Sequence, residues 1–230
     1  MRQFAIALIV AVTVLLLVAS QAMAYRLVLV PCGDLLPEGM TKVEFAPAWN
    51  LRHADVGLPD TDLFTYYRVD TGLPANTELQ VAVVDVTGQD SNTYVSGQWM
   101  FLQEPKVGAN VSVGVLNLGN ENDFGGRPLR SYYVAASKGV PMPWLVKRTP
   151  RLTLGAGTDQ VQGVWGGAVI PVSPFAQFCA EYTPKLLRTP GAGGVTIAWG
   201  YDWTPHFRTK IASLGGDVAL GIVYTDWFHK

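Results

Sequence analysis

Bulky apolar residues alternate with small or polar ones along most of the chain beyond residue 40. Val218, Leu220, Ile222 and Tyr224 alternate with Asp217, Ala219, Gly221, Val223 and Thr225. Val195, Ile197, Trp199 and Tyr201 alternate with Thr196, Ala198, Gly200 and Asp202, and Ala176, Phe178, Ala180 and Tyr182 with Gln177, Cys179 and Glu181. Val43, Phe45 and Trp49 oppose Lys42, Glu44 and Asn50; Leu79, Val81 and Val83 oppose Glu78 and Gln80. Successive side chains of a strand point to opposite faces, so each segment presents one apolar face and one small or polar face. No long helical period competes with this pattern, and no run beyond the first two dozen residues is long enough for a membrane helix.

About twelve such segments follow one another, near 41–50, 62–72, 76–86, 93–103, 109–118, 130–138, 150–158, 162–170, 174–183, 193–202, 206–214 and 217–226. Most run about 9–11 residues, the length that a tilted strand needs to cross a hydrocarbon core, whereas strands of soluble sandwiches are more often about 5–6. The connections 51–61, 119–129 and 184–192 are long, and 73–75, 171–173 and 203–205 are short. That alternation suits a barrel with short turns inside and longer loops outside. The connection 139–149 is long where a turn is expected. Trp49, Trp99, Phe101, Phe178, Trp199 and Tyr201 fall near strand ends, where interfacial aromatics belong. The pattern predicts an all-β, antiparallel, up-and-down transmembrane barrel of about twelve strands spanning 41–230. A soluble β-sandwich that binds carbohydrate through exposed Trp144 and Trp165 is the alternative.

The N-terminus changes the picture of location. Arg2 precedes an apolar run from Phe4 to Ala19, and Ala22-Met23-Ala24 has the small-x-small form that signal peptidase accepts. Residues 1–24 read as a cleavable export signal and 25–40 as an N-terminal periplasmic segment. A lipoprotein reading would use Cys32, but Pro31 stands where a small residue is wanted. The expected destination is the outer membrane, with a periplasmic or secreted protein as the alternative. Loss of residues 1–24 removes one cation and no acid, so the net charge moves from −1 to −2. There is no basic excess to bind nucleic acid. Charged residues make up 15% of the chain, below the ~25% of soluble domains, so much of the surface is not built for water. In an oxidising compartment Cys32 and Cys179 either pair or remain two free thiols; no Cys/His spacing suggests zinc.

Beyond Arg130 several stretches stand out: Tyr132-Tyr133-Val134-Ala135-Ala136-Ser137-Lys138, Arg151-Leu152-Thr153-Leu154-Gly155, Gly166-Gly167 with Pro171-Val172-Ser173-Pro174, and Ala180-Glu181-Tyr182 followed by Gly193-Gly194-Val195. In these the chain resembles the YjbH-like class of bacterial outer-membrane barrels associated with exopolysaccharide production. The resemblance spans under half of the chain and implies a barrel and a link to surface polysaccharide. It departs from the class at Thr183, where an acid is expected, and at Gly193, where an asparagine is expected before Gly194. It transfers no catalytic residue.

The small, polar face carries Glu44, Glu78, Arg151, Glu181, Arg208, Lys210 and Asp217, which are expected to line the lumen and pair across it, since buried charges must be paired or hydrated. His53, His206 and His229 have no metal-ligand spacing, and neither a GxSxG elbow nor a phosphate loop is present. Gly155-Ala156-Gly157 fits packing inside a strand better than a phosphate cradle. Glu44, Glu181 and Asp202 are acids of the type that glycosidases pair, but no spacing brings two of them together. The expectation is a non-enzymatic, cofactor-free and metal-free barrel, channel-like or structural. Its partners are outer-membrane lipid, barrel-assembly machinery and, through the resemblance, polysaccharide.

Overall fold

A computed structural model describes residues 31–49, 63–86, 91–120, 130–142, 149–184, 194–214 and 217–227. The export signal, His53, Trp144 and His229, and the side chains of Trp49, Asp217 and Trp227, lie outside the described residues.

Twelve strands form one closed antiparallel barrel. They are β1 (Met40–Trp49), β2 (Leu63–Leu73), β3 (Thr77–Val86), β4 (Asn92–Leu102), β5 (Asn110–Leu116), β6 (Ser131–Gly139), β7 (Arg151–Gly157), β8 (Gly163–Pro171), β9 (Ala176–Thr183), β10 (Gly194–Asp202), β11 (Phe207–Leu214) and β12 (Asp217–Trp227). Each pairs with its sequence neighbours, and β1 closes on β12, with Met40 opposite Trp227. Closure leaves no unpaired sheet edge, the condition for a sheet that spans lipid. The sandwich alternative is thereby overturned. A two-sheet stack would leave edges open, and here the first and last strands satisfy one another.

Following paired residues once around the barrel returns to β1 displaced by 14 positions. For twelve strands that stagger tilts them by about 40° and sets a backbone radius of about 11 Å. Inward side chains reduce the bore to about 10 Å, room for one peptide-sized occupant.

The alternation read from sequence is realised in three dimensions. Val195 is 61% exposed, and Ile197, Trp199, Val218, Leu220, Ile222 and Tyr224 are likewise exposed on the outside. Thr196, Ala198, Gly200, Ala219, Gly221 and Val223 are buried on the inside. An outside this apolar is stable only against lipid or a partner. Among the described residues a 3-10 turn (Asp159–Val161) joins β7 to β8, and one short α-helix, α1 (Glu104–Val107), follows β4, capped at its C-terminus by Gly108 in the left-handed region (φ 80°). Both α1 and the start of β1 lie at the same end of the barrel, called here the near end, as do the turns 74–76, 172–175 and 203–206.

Candidate functional site: the barrel interior

Two different constructions fill the interior. The first is a charged wall on β1, β2 and β11. Register puts Lys42 opposite Asp70 and Glu44 opposite Arg68, and all four are buried. The Lys42 ammonium lies 3.0 Å from Asp70 Oδ2 and 3.6 Å from Glu44 Oε2. Arg68 Nη2 donates to Glu44 Oε2 at 2.5 Å, and its Nε lies 3.2 Å from Asp70 Oδ2. From β3, Gln80 donates to Asp70 Oδ1 at 2.7 Å. The guanidinium also stands 5.6 Å from the Tyr66 ring centre. Lys210 joins from two strands away and pairs with Glu44 Oε1. It crosses β12 over Gly221, where an added Cβ would fall 2.6 Å from Lys210 Cγ; only a bare backbone leaves the lysine its path. Three cations thus share two carboxylates, and each charge has partners close enough to offset removal from bulk water. Nearer the mouth, Arg208 and Asp202, opposite one another on β10 and β11, pair with Nε–Oδ1 at 2.5 Å.

The second construction is a strap. Residues 31–37 run inside the barrel and bond to inward side chains of six consecutive strands. Trp165 Nε1 on β8 donates to the Pro31 carbonyl at 3.2 Å. Gln98 on β4 and Ser112 on β5 donate to the Cys32 carbonyl at 2.6 and 3.2 Å. The Gly33 amide donates to Ser137 Oγ on β6 at 2.8 Å, and the Leu36 amide to Glu78 Oε2 on β3 at 2.8 Å. Gly33 lies so close to the wall that an added Cβ would stand 2.5 Å from the Asn110 carbonyl oxygen. At the near end, Arg151 on β7 pairs with Asp34 and also with Glu104 of α1. Asn110 Nδ2 donates to Asp34 Oδ1 at 2.6 Å, and Glu104 Oε1 accepts the Gly139 amide at 2.7 Å. Burial pushes the Asp34 carboxyl above its ordinary range, outweighing Arg151 and the Asn110 hydrogen bond. For Glu104 burial also acts upward, but hydrogen bonds from Arg151 and the Gly139 amide outweigh it and hold that carboxyl low.

Beneath the strap lies an apolar cluster of Tyr133, Ala135, Val161, Trp165, Val169, Cys179, Ala198 and Ala212. The Trp165 ring lies over Gly155, where a Cβ would fall 2.4 Å from it. Trp165, expected by the sandwich reading on an exposed sugar-binding surface, is 1% exposed. The correction follows from parity, because Trp165 shares the inward face of β8 with Val169.

Of the residues singled out from sequence, Glu44 and Lys210 are brought together. Arg208 pairs with Asp202, Arg151 with Asp34 and Glu104, and Glu78 takes the strap; Glu181 is buried on β9. Sequence reasoning missed Arg68 and Asp70, although their alternation with Tyr67 and Val69 marks them as inward. It missed Asp34 and Glu104 as well, which no strand periodicity marks. Cys32 and Cys179 are both buried and are not joined in a disulfide. His206 is exposed at a turn, with Nδ1 2.8 Å from the Thr225 carbonyl oxygen.

No family model and no curated protein matches the chain. Among solved structures it is similar to the KdgM porin, at 10% identity and a TM-score of 0.51, over 82% of this chain and 99% of that one. It is also similar to the KdgM porin in complex with disordered oligogalacturonate (11%, TM-score 0.49, 82% and 99%). A further match is the Acinetobacter baumannii outer membrane protein Omp33 (10%, TM-score 0.48, 83% and 99%). At 10% identity the property shared with the KdgM porin is the fold, a β-barrel.

Proposed function

We propose that this chain is an outer-membrane channel protein for small polar solutes, exported through residues 1–24 and folded into lipid by barrel-assembly machinery. The observation that carries the proposal is the pairing of two faces on one closed sheet, apolar outside and ion-paired inside. Lipid accepts the first face, and water entering a lumen hydrates the second. The interior acids Glu44 and Asp202 are engaged by cations, an arrangement that suits a structural lining better than turnover. A link to surface polysaccharide, drawn from the stretches between Arg130 and Val195, is the finer form of the proposal.

The test begins with membrane fractionation and gel mobility before and after boiling, followed by conductance of the purified protein in planar bilayers. Outer-membrane recovery, a heat-dependent shift and discrete conductance steps are expected, with a mature N-terminus at Tyr25. Recovery in the soluble fraction without detergent would overturn the proposal. Unchanged exopolysaccharide yield in a deletion strain would remove the finer reading alone.

A further inference from the structure

From the geometry we infer that residues 31–37 are an autoinhibitory strap: they occupy the solute path, and the Asp34–Arg151–Glu104 cluster at the near end is the latch that keeps them there. The inference rests on the channel proposal above.

Position comes first. The strap contacts inward side chains of β3, β4, β5, β6, β7 and β8, half of the circumference. In a bore of about 10 Å, an extended peptide leaves no room beside it for a hydrated solute. On the other side of the bore, Lys210 lies along the wall over β12 and pairs with Glu44.

The strap is also held differently from the wall. Strand pairing holds the barrel closed with or without residues 31–37, because every strand has both neighbours within 40–227. Strap docking uses side chain to backbone hydrogen bonds at separate points: Pro31, Cys32, Gly33 and Leu36. Each is worth about 1 kcal/mol net, so the strap can leave without unfolding the sheet. Among the described residues, the latch is where ion pairs hold it, and the Glu78 carboxylate adds one further anchor at the Leu36 amide. Arg151 grips Asp34 and Glu104 together, and Asn110 bridges the same two residues, donating from Nδ2 to Asp34 and accepting the Glu104 amide at 2.7 Å. Loss of Arg151 therefore frees the strap and its rim support in one step. The groups released on the wall beneath are the Glu78 carboxylate and the uncharged hydrogen-bonding and aromatic side chains of Gln98, Ser112, Ser137, Tyr133 and Trp165.

Cys32 is a built-in reporter. It lies in the strap at 2% exposure, and Cys179 is buried in the wall. With Cys179→Ser as background, maleimide labelling of Cys32 and bilayer conductance in potassium chloride are measured on the full mature chain. Arg151→Ala is expected to raise the Cys32 labelling rate about tenfold or more, as loss of a charge-assisted hydrogen bond predicts, and to raise conductance in parallel. A locked variant, Asp34→Cys with Asn110→Cys in a Cys32→Ser, Cys179→Ser background, is expected to conduct less when oxidised and to recover on reduction. Heat-modifiable mobility confirms that each variant is folded.

Labelling and conductance that stay at wild-type values in folded Arg151→Ala, with no redox effect in the locked variant, would overturn the strap as a gate. If Cys32 becomes reactive while no variant conducts at all, the channel proposal fails instead, and with it any gating role.

Discussion

The charged wall and the strap sector share one sheet but satisfy their inward polar groups by opposite means. On β1, β2 and β11 the partners come from the neighbouring or next-neighbouring strand, so register alone assembles the cluster: Lys42 with Asp70, Glu44 with Arg68, and Lys210 reaching over Gly221. That wall is self-sufficient. On β3 to β8 the polar side chains instead address residues 31–37, through their backbone and through the Asp34 carboxylate, whose bond to Arg151 spans 117 positions of sequence. One half of the lumen is complete when the barrel closes, whereas the other is complete only when a separate segment docks. The difference separates a lining from a removable occupant.

Substitutions on the two sides should therefore behave unlike one another. The largest effect is expected from Glu44→Gln, which leaves three cations with a single remaining carboxylate. A buried network broken from one side costs about 3 kcal/mol, to be read as a lower urea midpoint in lipid vesicles. Cys32 labelling should not change, and a change there would mean that the two sectors are coupled. Next, Gly155→Val forces Trp165 off its platform and should cost about 2 kcal/mol by overpacking. Unlike the first substitution, it should also expose Cys32, because Trp165 holds the Pro31 carbonyl. Gly221→Val should cost only about 1 kcal/mol, since it displaces a flexible lysine rather than a ring and removes one ion pair of several.

The smallest effect expected is that of pH, and its sign is opposite for the two latch carboxylates. The docked Asp34 carboxyl holds its proton to a higher pH than the free group, because burial outweighs Arg151 and Asn110. Docking therefore strengthens as pH falls through that raised value and weakens as Asp34 ionises above it. Glu104, held low, contributes above the ordinary carboxylate range and loses its part only as pH falls through its lowered value. Between the two, mild acid should tighten the strap. Hydrogen exchange at the Gly33 and Leu36 amides, corrected for intrinsic rate, should show greater protection at mildly acidic than at neutral pH; faster corrected exchange would reverse this assignment.

Strand periodicity placed all twelve strands, their order and their inward faces close to where they lie, because a period of two is a local property that each segment displays by itself. The same parity marks Glu44, Glu78 and Lys210, and it marks Arg68 and Asp70 equally well once β2 is read with Tyr67 and Val69 outside. Partner choice is another matter. That Lys210 meets Glu44 depends on Gly221 standing between them and on β12 closing against β1, neither of which has a local signature. Residues 31–39 show no alternation, and the sequence reading assigned 25–40 to the periplasm. Only the tertiary structure brings Asp34 to Arg151 and Cys32 under Gln98. Alternation in the sequence thus determined that this chain builds a sheet with a lipid-facing and a polar face. Closure of that sheet into a bore of fixed width decided which side chains meet and what lies between them.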